Sequence, residues 1–258
     1  MAHRYAYSLL AALLLLSGCS LYVPTVPSTP LLRKGQVQVS GGLRGLTSLE
    51  AGAAWAPTNH LLLTLESSFQ SGTTSTTDSS GRPVSYDDYH RQLSIGAGYY
   101  RAPTATSRWY LAALGGVGIA RARLHAVDFE VLSPWLPLPV PYVAGNYEAT
   151  YRRYYVQAYA AQPAGDNLTS GFSLRATYAD YALLTLDRLA ISPTNHLFLE
   201  PTFFLKKGSG PLQVVGTLGF SMPFTTPRGN PLSKRTSPFS SLVGLTFVFR
   251  PDLLGRQR

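Results

Sequence analysis

Apolar and polar residues alternate with a period of two along most of the chain from Gly35 onward. A clear example is the run 92–99, which reads QLSIGAGY. Alternation with one apolar face is the signature of a β-strand, and the helical period of 3.6 residues does not appear in this part of the chain. The pattern predicts an all-β fold of about ten antiparallel strands over residues 35–250, with eight or twelve strands as alternatives.

The connections between these strands alternate between long segments and short turns. The long segments are at 71–87, 124–150 and 223–238, and the short turns are at 56–59, 102–107, 163–168 and 207–211. Outer-membrane barrels of bacteria combine long external loops with short periplasmic turns. The sequence therefore predicts an antiparallel transmembrane β-barrel, ending in a tail at 251–258. An even number of strands would put both chain ends on the periplasmic side.

The first residues follow the order of a secretory signal. Arg4 precedes the apolar run Leu9–Leu16, which is too short to span a bilayer as a helix. The run ends in Leu16-Ser17-Gly18-Cys19, which resembles the lipobox of bacterial lipoproteins. This resemblance predicts a signal peptide at 1–18 and a lipid-modified Cys19; an ordinary signal peptide with a chance cysteine is the alternative.

Residues 19–34 separate the predicted lipid anchor from the first strand. Three prolines, at positions 24, 27 and 30, prevent both helix formation and ladder pairing here. We expect an extended tether that holds the barrel a few tens of Å from Cys19, at roughly 3 Å per residue.

The charge balance is basic, with 22 Lys and Arg against 13 Asp and Glu. The basic residues occur singly or in pairs and form no nucleic-acid motif, so we expect no nucleic-acid partner. Attraction to the anionic headgroups of outer-membrane lipids explains the surplus better. Cys19 is the single cysteine of the chain, which excludes an intramolecular disulfide.

Several short motifs resemble a group of Bacteroidetes outer-membrane β-barrel lipoproteins with no assigned activity. They are the lipobox, the Pro-rich tether, the run Gly35–Gly42 and Leu199-Glu200-Pro201. The resemblance spans most of the chain after Cys19 and implies a barrel fold, but it brings no functional residues with it. Acidic residues do not follow Cys19, and within this resemblance that favours an anchor facing the periplasm.

A lipid-facing apolar side implies that the charged residues of the strands point into the lumen. Basic groups on the lipid face would cost about 2–4 kcal/mol each at mid-bilayer. The predicted lumen charge network comprises Glu50, Glu66, Arg175, Glu200 and Lys206. Because a barrel of about ten strands leaves little open bore, we expect these charges to close the lumen; a polar pathway for small solutes is the alternative.

Three other site hypotheses concern the strand ends and loops. Asp87, Asp88, His90, His125 and Asp128 could form a hydrolytic site at the barrel rim, although no motif supports one. The histidines lack metal-ligand spacing, so no metal or other cofactor is expected. Aromatic residues near strand ends are expected in the headgroup girdles, and Trp135 is the candidate for contact with a surface ligand.

The sequence thus predicts a non-enzymatic, lipid-anchored outer-membrane barrel with a closed lumen. Its role would be in envelope structure, or in surface adhesion through its long loops to a ligand that the sequence does not identify. A small-solute pore, a barrel-rim hydrolase and a periplasmic lipocalin-like binder are the alternatives. In the last case the apolar faces of the strands would point inward.

Overall fold

The computed structural model describes residues 21–45, 47–77, 82–133, 136–192, 195–224, 236 and 239–254, with residues 74, 76, 77, 126–133 and 136–144 described by their backbone alone. Cys19 and Trp135 lie outside these residues. The strands are β1 (Val37–Arg44), β2 (Ser48–Trp55), β3 (Leu61–Thr77), β4 (Pro83–Arg101), β5 (Tyr110–Ser133), β6 (Leu136–Gly165), β7 (Leu168–Leu186), β8 (Leu189–Ala190), β9 (His196–Lys207), β10 (Leu212–Pro223) and β11 (Ser240–Phe249). A short 3₁₀ helix, Pro251–Leu253, follows β11.

Ten of these strands close into one antiparallel barrel, as the alternation predicts. Each strand pairs with its neighbour in the chain, β7 pairs with β9, and β1 closes the ring against β11. The two residues of β8 only extend one end of β7. Following paired residues once around the ring leads from Asp180 to Leu168 on β7, a stagger of 12 residues. Such a stagger tilts the strands relative to the barrel axis.

The four short turns predicted from the sequence lie at one end of the barrel. At the other end the sequence predicted loops at 71–87 and 124–150, and this part of the prediction is wrong. β3 and β4 remain paired as far as Thr77 and Pro83, and β5 and β6 remain paired to Ser133 and Leu136. Polar residues in the first segment and prolines in the second favoured a loop, but both segments continue the ladder as two long hairpins. Most of the third predicted loop, 223–238, lies outside the described residues.

The two faces of the barrel have opposite polarity. Large apolar side chains face outward from every barrel strand and are at least 42% exposed: Val39, Leu49, Leu65, Ile95, Val117, Val156, Leu174, Phe203, Leu218 and Phe247. Polar residues face the lumen and are at most 7% exposed: Gln38, Glu66, Gln92, Gln157, Arg175, Glu200 and Thr217. This arrangement is that of a membrane-spanning barrel. It contradicts the lipocalin-like alternative, which requires an apolar interior.

The lumen is occupied by the chain itself. Residues 21–32, which we call the lumen segment, run through it without helix or strand, and Leu21, Tyr22 and Leu32 are fully buried. The sequence predicted that this segment is a tether between the barrel and its anchor. The lack of regular structure was predicted correctly, but the position outside the barrel was wrong. The prolines do prevent ladder pairing, and several of the remaining backbone groups bind side chains of the barrel wall instead.

The two ends of the described chain lie at opposite ends of the barrel. Leu21 and Tyr22 pack with Leu124, Tyr147 and Leu184, toward the long hairpins. Leu32 packs near the short turns, where β11 and the 3₁₀ helix also end. The prediction that both ends face the short-turn side is therefore wrong for residue 21, because the chain crosses the lumen before β1 begins.

In the described part of the chain, no helix has the length and apolar character needed to cross a bilayer.

Candidate functional site: the occupied lumen

The backbone N–H groups of the lumen segment bind acidic and phenolic groups of the wall. The N–H of Val26 donates to both Glu50 oxygens at 3.2 and 3.3 Å, and the N–H of Ser28 donates to Glu66 Oε1 at 3.0 Å. The N–H of Leu32 donates to the Tyr110 hydroxyl at 3.3 Å. Because proline has no N–H, the three prolines of the segment leave fewer donors that need a partner in the lumen.

Side chains of the barrel wall also donate hydrogen bonds to acceptor groups of the lumen segment. The amide of Gln157 donates to the Ser28 carbonyl at 2.8 Å, and the Tyr159 hydroxyl donates to the Pro30 carbonyl at 2.6 Å. Thr25 Oγ1 accepts hydrogen bonds from Arg153 and Arg175 at 3.3 and 3.2 Å. Buried backbone polar groups need such partners. These donors are on β6 and β7, whereas Glu50 and Glu66 are on β2 and β3, so the segment is bound to both sides of the barrel.

Arg175 is the centre of the largest group of lumen contacts. Its guanidinium lies 2.6 Å from Glu66 Oε1, and it donates to Gln157 Oε1 at 2.6 and 3.0 Å. It also lies 4.5 Å from the ring centroid of Tyr155, in a cation–π contact. Arg175 is on β7 and Glu66 is on β3, so this ion pair crosses the lumen. A fully buried arginine is stable only with such partners.

Glu200 forms a second contact group nearer the long hairpins. One carboxylate oxygen accepts from the Tyr22 hydroxyl at 2.7 Å and from Ser221 at 3.2 Å, and the other accepts from Thr177 at 3.0 Å. The Tyr22 ring stacks on Phe198 with a centroid distance of 3.7 Å. The first residues of the lumen segment are therefore held by one charged group and one aromatic contact.

Glu50 and Lys206 complete the predicted charge set, but they differ in their partners. Glu50 pairs with Arg44 at 3.3 Å in addition to Val26. Lys206 is 7% exposed, and its side chain forms no hydrogen bond or ion pair with any other described residue. It lines a small cavity of about 60 Å³ between the lumen segment and β1, β2, β10 and β11. The charge network is thus distributed along the lumen rather than gathered at one point.

Below the last strand, at the short-turn end, Arg250 and Asp252 form a bidentate ion pair with distances of 2.9 and 2.8 Å. These side-chain hydrogen bonds hold the pKa of Asp252 below its usual range.

Some lumen residues were missed by the sequence analysis. Arg153, which is fully buried, and Gln157 contact the lumen segment directly. Both share the inward phase of β6 with Tyr151 and Tyr155, so the alternation could have identified them. The aromatic prediction is also partly wrong. Tyr99, Trp109, Tyr154 and Tyr178 face outward, but Tyr100, Tyr110, Tyr151, Tyr155 and Tyr181 are buried inside.

Three of the five residues predicted for a rim hydrolase, Asp88, His90 and His125, are engaged in structural contacts. His90 is 3% exposed and lies 3.0 Å from the Tyr151 hydroxyl. Asp88 accepts the backbone N–H of His125 at 2.6 Å, and the His125 ring stacks on Tyr86. The side chain of Asp128 is outside the described residues. Within the described chain, no three His, Cys, Asp or Glu side chains come together as a metal site.

Comparison with known proteins gives no family assignment. No protein-family model and no curated protein sequence matches the chain. Among solved structures, the chain is similar to the outer membrane protease OmpT from Escherichia coli, with 10% identity, a TM-score of 0.43, and coverage of 83% of this chain and 91% of that one. It is also similar to an outer membrane channel from Pseudomonas putida F1, with 12% identity, a TM-score of 0.41, and coverage of 89% and 100%. These values transfer no function, and the membrane assignment rests on the faces of the barrel itself.

Proposed function

We propose that this protein is an outer-membrane barrel that is closed by its own N-terminal segment and serves the envelope through its long external hairpins. The observation that carries the proposal is the lumen segment, which is bound on opposite walls by Glu50, Glu66, Gln157 and Arg175. A closed lumen passes no solutes, which leaves a structural role or surface adhesion through the β3–β4 and β5–β6 hairpins. The adhesion partner stays an envelope or surface ligand of unknown identity.

The outer membrane is the proposed location because of the apolar outer face. Burying a large aliphatic or aromatic side chain is worth roughly 1.5–3 kcal/mol relative to leaving it in water. Soluble monomers rarely expose apolar patches above a few hundred Å², whereas here every barrel strand presents one or more such residues. Contact with hydrocarbon removes this penalty.

Conductance in planar bilayers tests the closed lumen. We expect the purified full-length protein to give no stable current steps. Deleting residues 21–32 from the full chain should produce steps, because the polar wall would then line an aqueous path. The double variant Glu66→Ala/Arg175→Ala provides a second way to loosen the segment with the chain length unchanged. Stable steps from the unmodified protein would contradict the proposal.

A solute pathway is the second candidate function, favoured by the cavity beside the lumen segment. Lys206 faces this cavity, and Gln38 Oε1 is buried there without a hydrogen-bond partner among the described residues. These groups would suit a segment that withdraws to admit small polar solutes. In the same recordings, this candidate requires voltage- or solute-dependent steps from the unmodified protein.

We further propose that Cys19 is acylated and that the mature N-terminus lies at the long-hairpin end of the barrel, on the cell surface. Cys19 is two residues from Leu21, so its Cα lies within about 7.6 Å of that of Leu21. Leu21 packs near the long hairpins. The lipobox favours acylation, and the course of the lumen segment favours a surface position over the periplasmic anchor expected from the sequence.

Epitope labelling of intact cells tests this topology. A tag inserted between Ser20 and Leu21 should bind antibody without permeabilisation, while a tag after Arg258 should bind only after permeabilisation. Loss of palmitate labelling in Cys19→Ser would establish the modification. A tag at residue 20 that is detected only in permeabilised cells would overturn the surface position.

A further inference from the structure

The basic residues on the outer wall of the barrel are concentrated in one place. Six lysine or arginine residues face outward from the described strands, and four of them lie together on β4, β5 and β6: Arg91, Arg121, Arg123 and Arg152. The other two, Arg101 and Lys207, lie at the short-turn end. We call the group of four the arginine patch. Apart from Lys207 on β9, the outward faces of the other barrel strands carry no basic residue in the described chain.

The arginine patch borders the apolar surface on the side of the long hairpins. Arg91 and Arg152 each precede an outward apolar or aromatic residue by two positions, Leu93 and Tyr154, and Arg121 follows Ile119 in the same way. Because residues two apart share a face of a strand, the patch forms the rim of the apolar surface. In a barrel oriented as proposed above, this rim lies at the level of the outer-leaflet headgroups.

The patch contains one pair of like charges and two arginines that face an acidic residue on the neighbouring strand. Arg91 and Arg121 are direct cross-strand partners, and like charges in that position destabilise a sheet. Glu148 pairs with Arg123 at 2.6 Å. Asp180 is the cross-strand partner of Arg152 but forms no ion pair with it. Arg91, Arg121 and Arg152 therefore have no ionic partner in the described part of the chain.

An apolar groove begins directly beneath these three arginines. It has a volume of about 400 Å³ and is lined by Leu93, Ile95, Val117, Ile119 and Tyr154, with Arg152 at one end. Gly118 and Ser94 form its floor. Both occupy inward positions of their strands, so neither places a side chain in the groove. Cations above an apolar groove complement an anionic headgroup with an acyl chain below it.

We propose that the arginine patch and this groove bind a phosphorylated glycolipid of the outer leaflet. Arginine recognises phosphate through bidentate hydrogen bonds. The patch extends over three adjacent strands, roughly 10 Å at 4.8 Å per strand spacing. This width suits a headgroup with more than one phosphate. The acyl chain would occupy the groove between Ile95 and Ile119. The proposal rests on the membrane orientation given under Proposed function.

Native mass spectrometry of the full-length protein in detergent tests this site. The probe is lipid A with two phosphates, and the comparison lipids are the same molecule without phosphates and phosphatidylglycerol. We expect the unmodified protein to retain lipid A at least tenfold more than either comparison lipid. The triple variant Arg91→Gln/Arg121→Gln/Arg152→Gln should lose this retention.

The matched control is Arg101→Gln/Lys207→Gln, which removes the outward basic residues at the other end and should leave lipid A retention unchanged. A gel shift on heating checks that each variant is folded. Equal retention by the triple variant and the unmodified protein, or equal retention of phosphate-free lipid, would overturn the proposal. So would phosphatidylglycerol retained as well as lipid A. Loss of the closed lumen would instead alter conductance without altering lipid retention, so the two proposals fail separately.

Discussion

Arg175 carries a positive charge at the centre of the barrel, where a charge without partners would cost several kcal/mol. Glu66, Gln157 and Thr25 supply those partners. Glu66 is on β3 across the lumen, Gln157 is the cross-strand partner of Arg175 on β6, and Thr25 belongs to the lumen segment. A single side chain thus joins both walls to the segment between them.

Replacing Arg175 by methionine tests this role. Methionine keeps much of the length but leaves Glu66 buried without its cation, so we expect a loss of about 3–5 kcal/mol in unfolding free energy. Urea unfolding in lipid vesicles, followed by tryptophan fluorescence, measures this loss. Lys207→Met is the matched control, because Lys207 is exposed on the outer face and should change stability little. Equal stability of the two variants would contradict the role given to Arg175.

The inward position of single charged residues could be predicted because alternation and membrane energetics act together. Once the apolar residues of each strand face the lipid, the alternate residues, which include Glu66, Arg175 and Glu200, have to face the lumen. Tyrosine could not be assigned in this way, because its ring is apolar and its hydroxyl polar. Tyr159 is buried and binds the Pro30 carbonyl, whereas Tyr154 faces outward. For these residues the strand phase has to be known to within one residue.

At the scale of elements, β4 and β5 make room for a large side chain from β6. The inner face of these strands carries Gly96 and Gly116, and the ring of Tyr155 lies over both. A Cβ on Gly116 would overlap this ring and approach the Ile95 carbonyl to 2.5 Å. The glycines weaken their strands in isolation, but here they allow a ring to fill the lumen next to Arg175.

Substituting neighbouring glycines separates packing from intrinsic strand propensity. Gly116→Ala should lower stability by about 1–3 kcal/mol, because the ring and a backbone carbonyl both obstruct the new methyl group. Gly115→Ala faces outward, where its nearest contact is at 3.8 Å, and should be neutral or slightly stabilising. Thermal gel-shift midpoints compare the two variants. A smaller loss for Gly116→Ala than for Gly115→Ala would show that Tyr155 does not lie over this position.

The elements that the sequence analysis misjudged share a physical cause. In β3 and β4, and in β5 and β6, residues beyond the apolar outer surface pair through backbone hydrogen bonds, and such bonds leave no periodic trace in the side chains. The lumen segment was predicted to lie outside the barrel because its prolines exclude helix formation and ladder pairing. Its true partners are side chains on strands far away in sequence, and no local pattern identifies them.

At the scale of the whole molecule, the barrel has an apolar outside, a polar inside and its own chain in the lumen. The outside was predictable, because the strand period and the cost of lipid-facing charge require it. The contents of the lumen were predictable in part. The charge set was expected to close it, but the closure also uses the lumen segment, which binds to those charges through its backbone.

A disulfide between the lumen segment and the wall tests the central claim most directly. A Cβ built on Gly244 lies 3.7 Å from the Cβ of Val26, within the usual range of about 3.5–4.5 Å for disulfides. The protein carrying Val26→Cys and Gly244→Cys in a Cys19→Ser background should therefore form the 26–244 disulfide readily, detected by mass spectrometry after non-reducing digestion. The matched pair Val26→Cys and Leu245→Cys, with residue 245 facing outward, should not form one. A folded, heat-modifiable barrel in which the 26–244 bond forms no more often than the 26–245 bond would contradict the account of the occupied lumen.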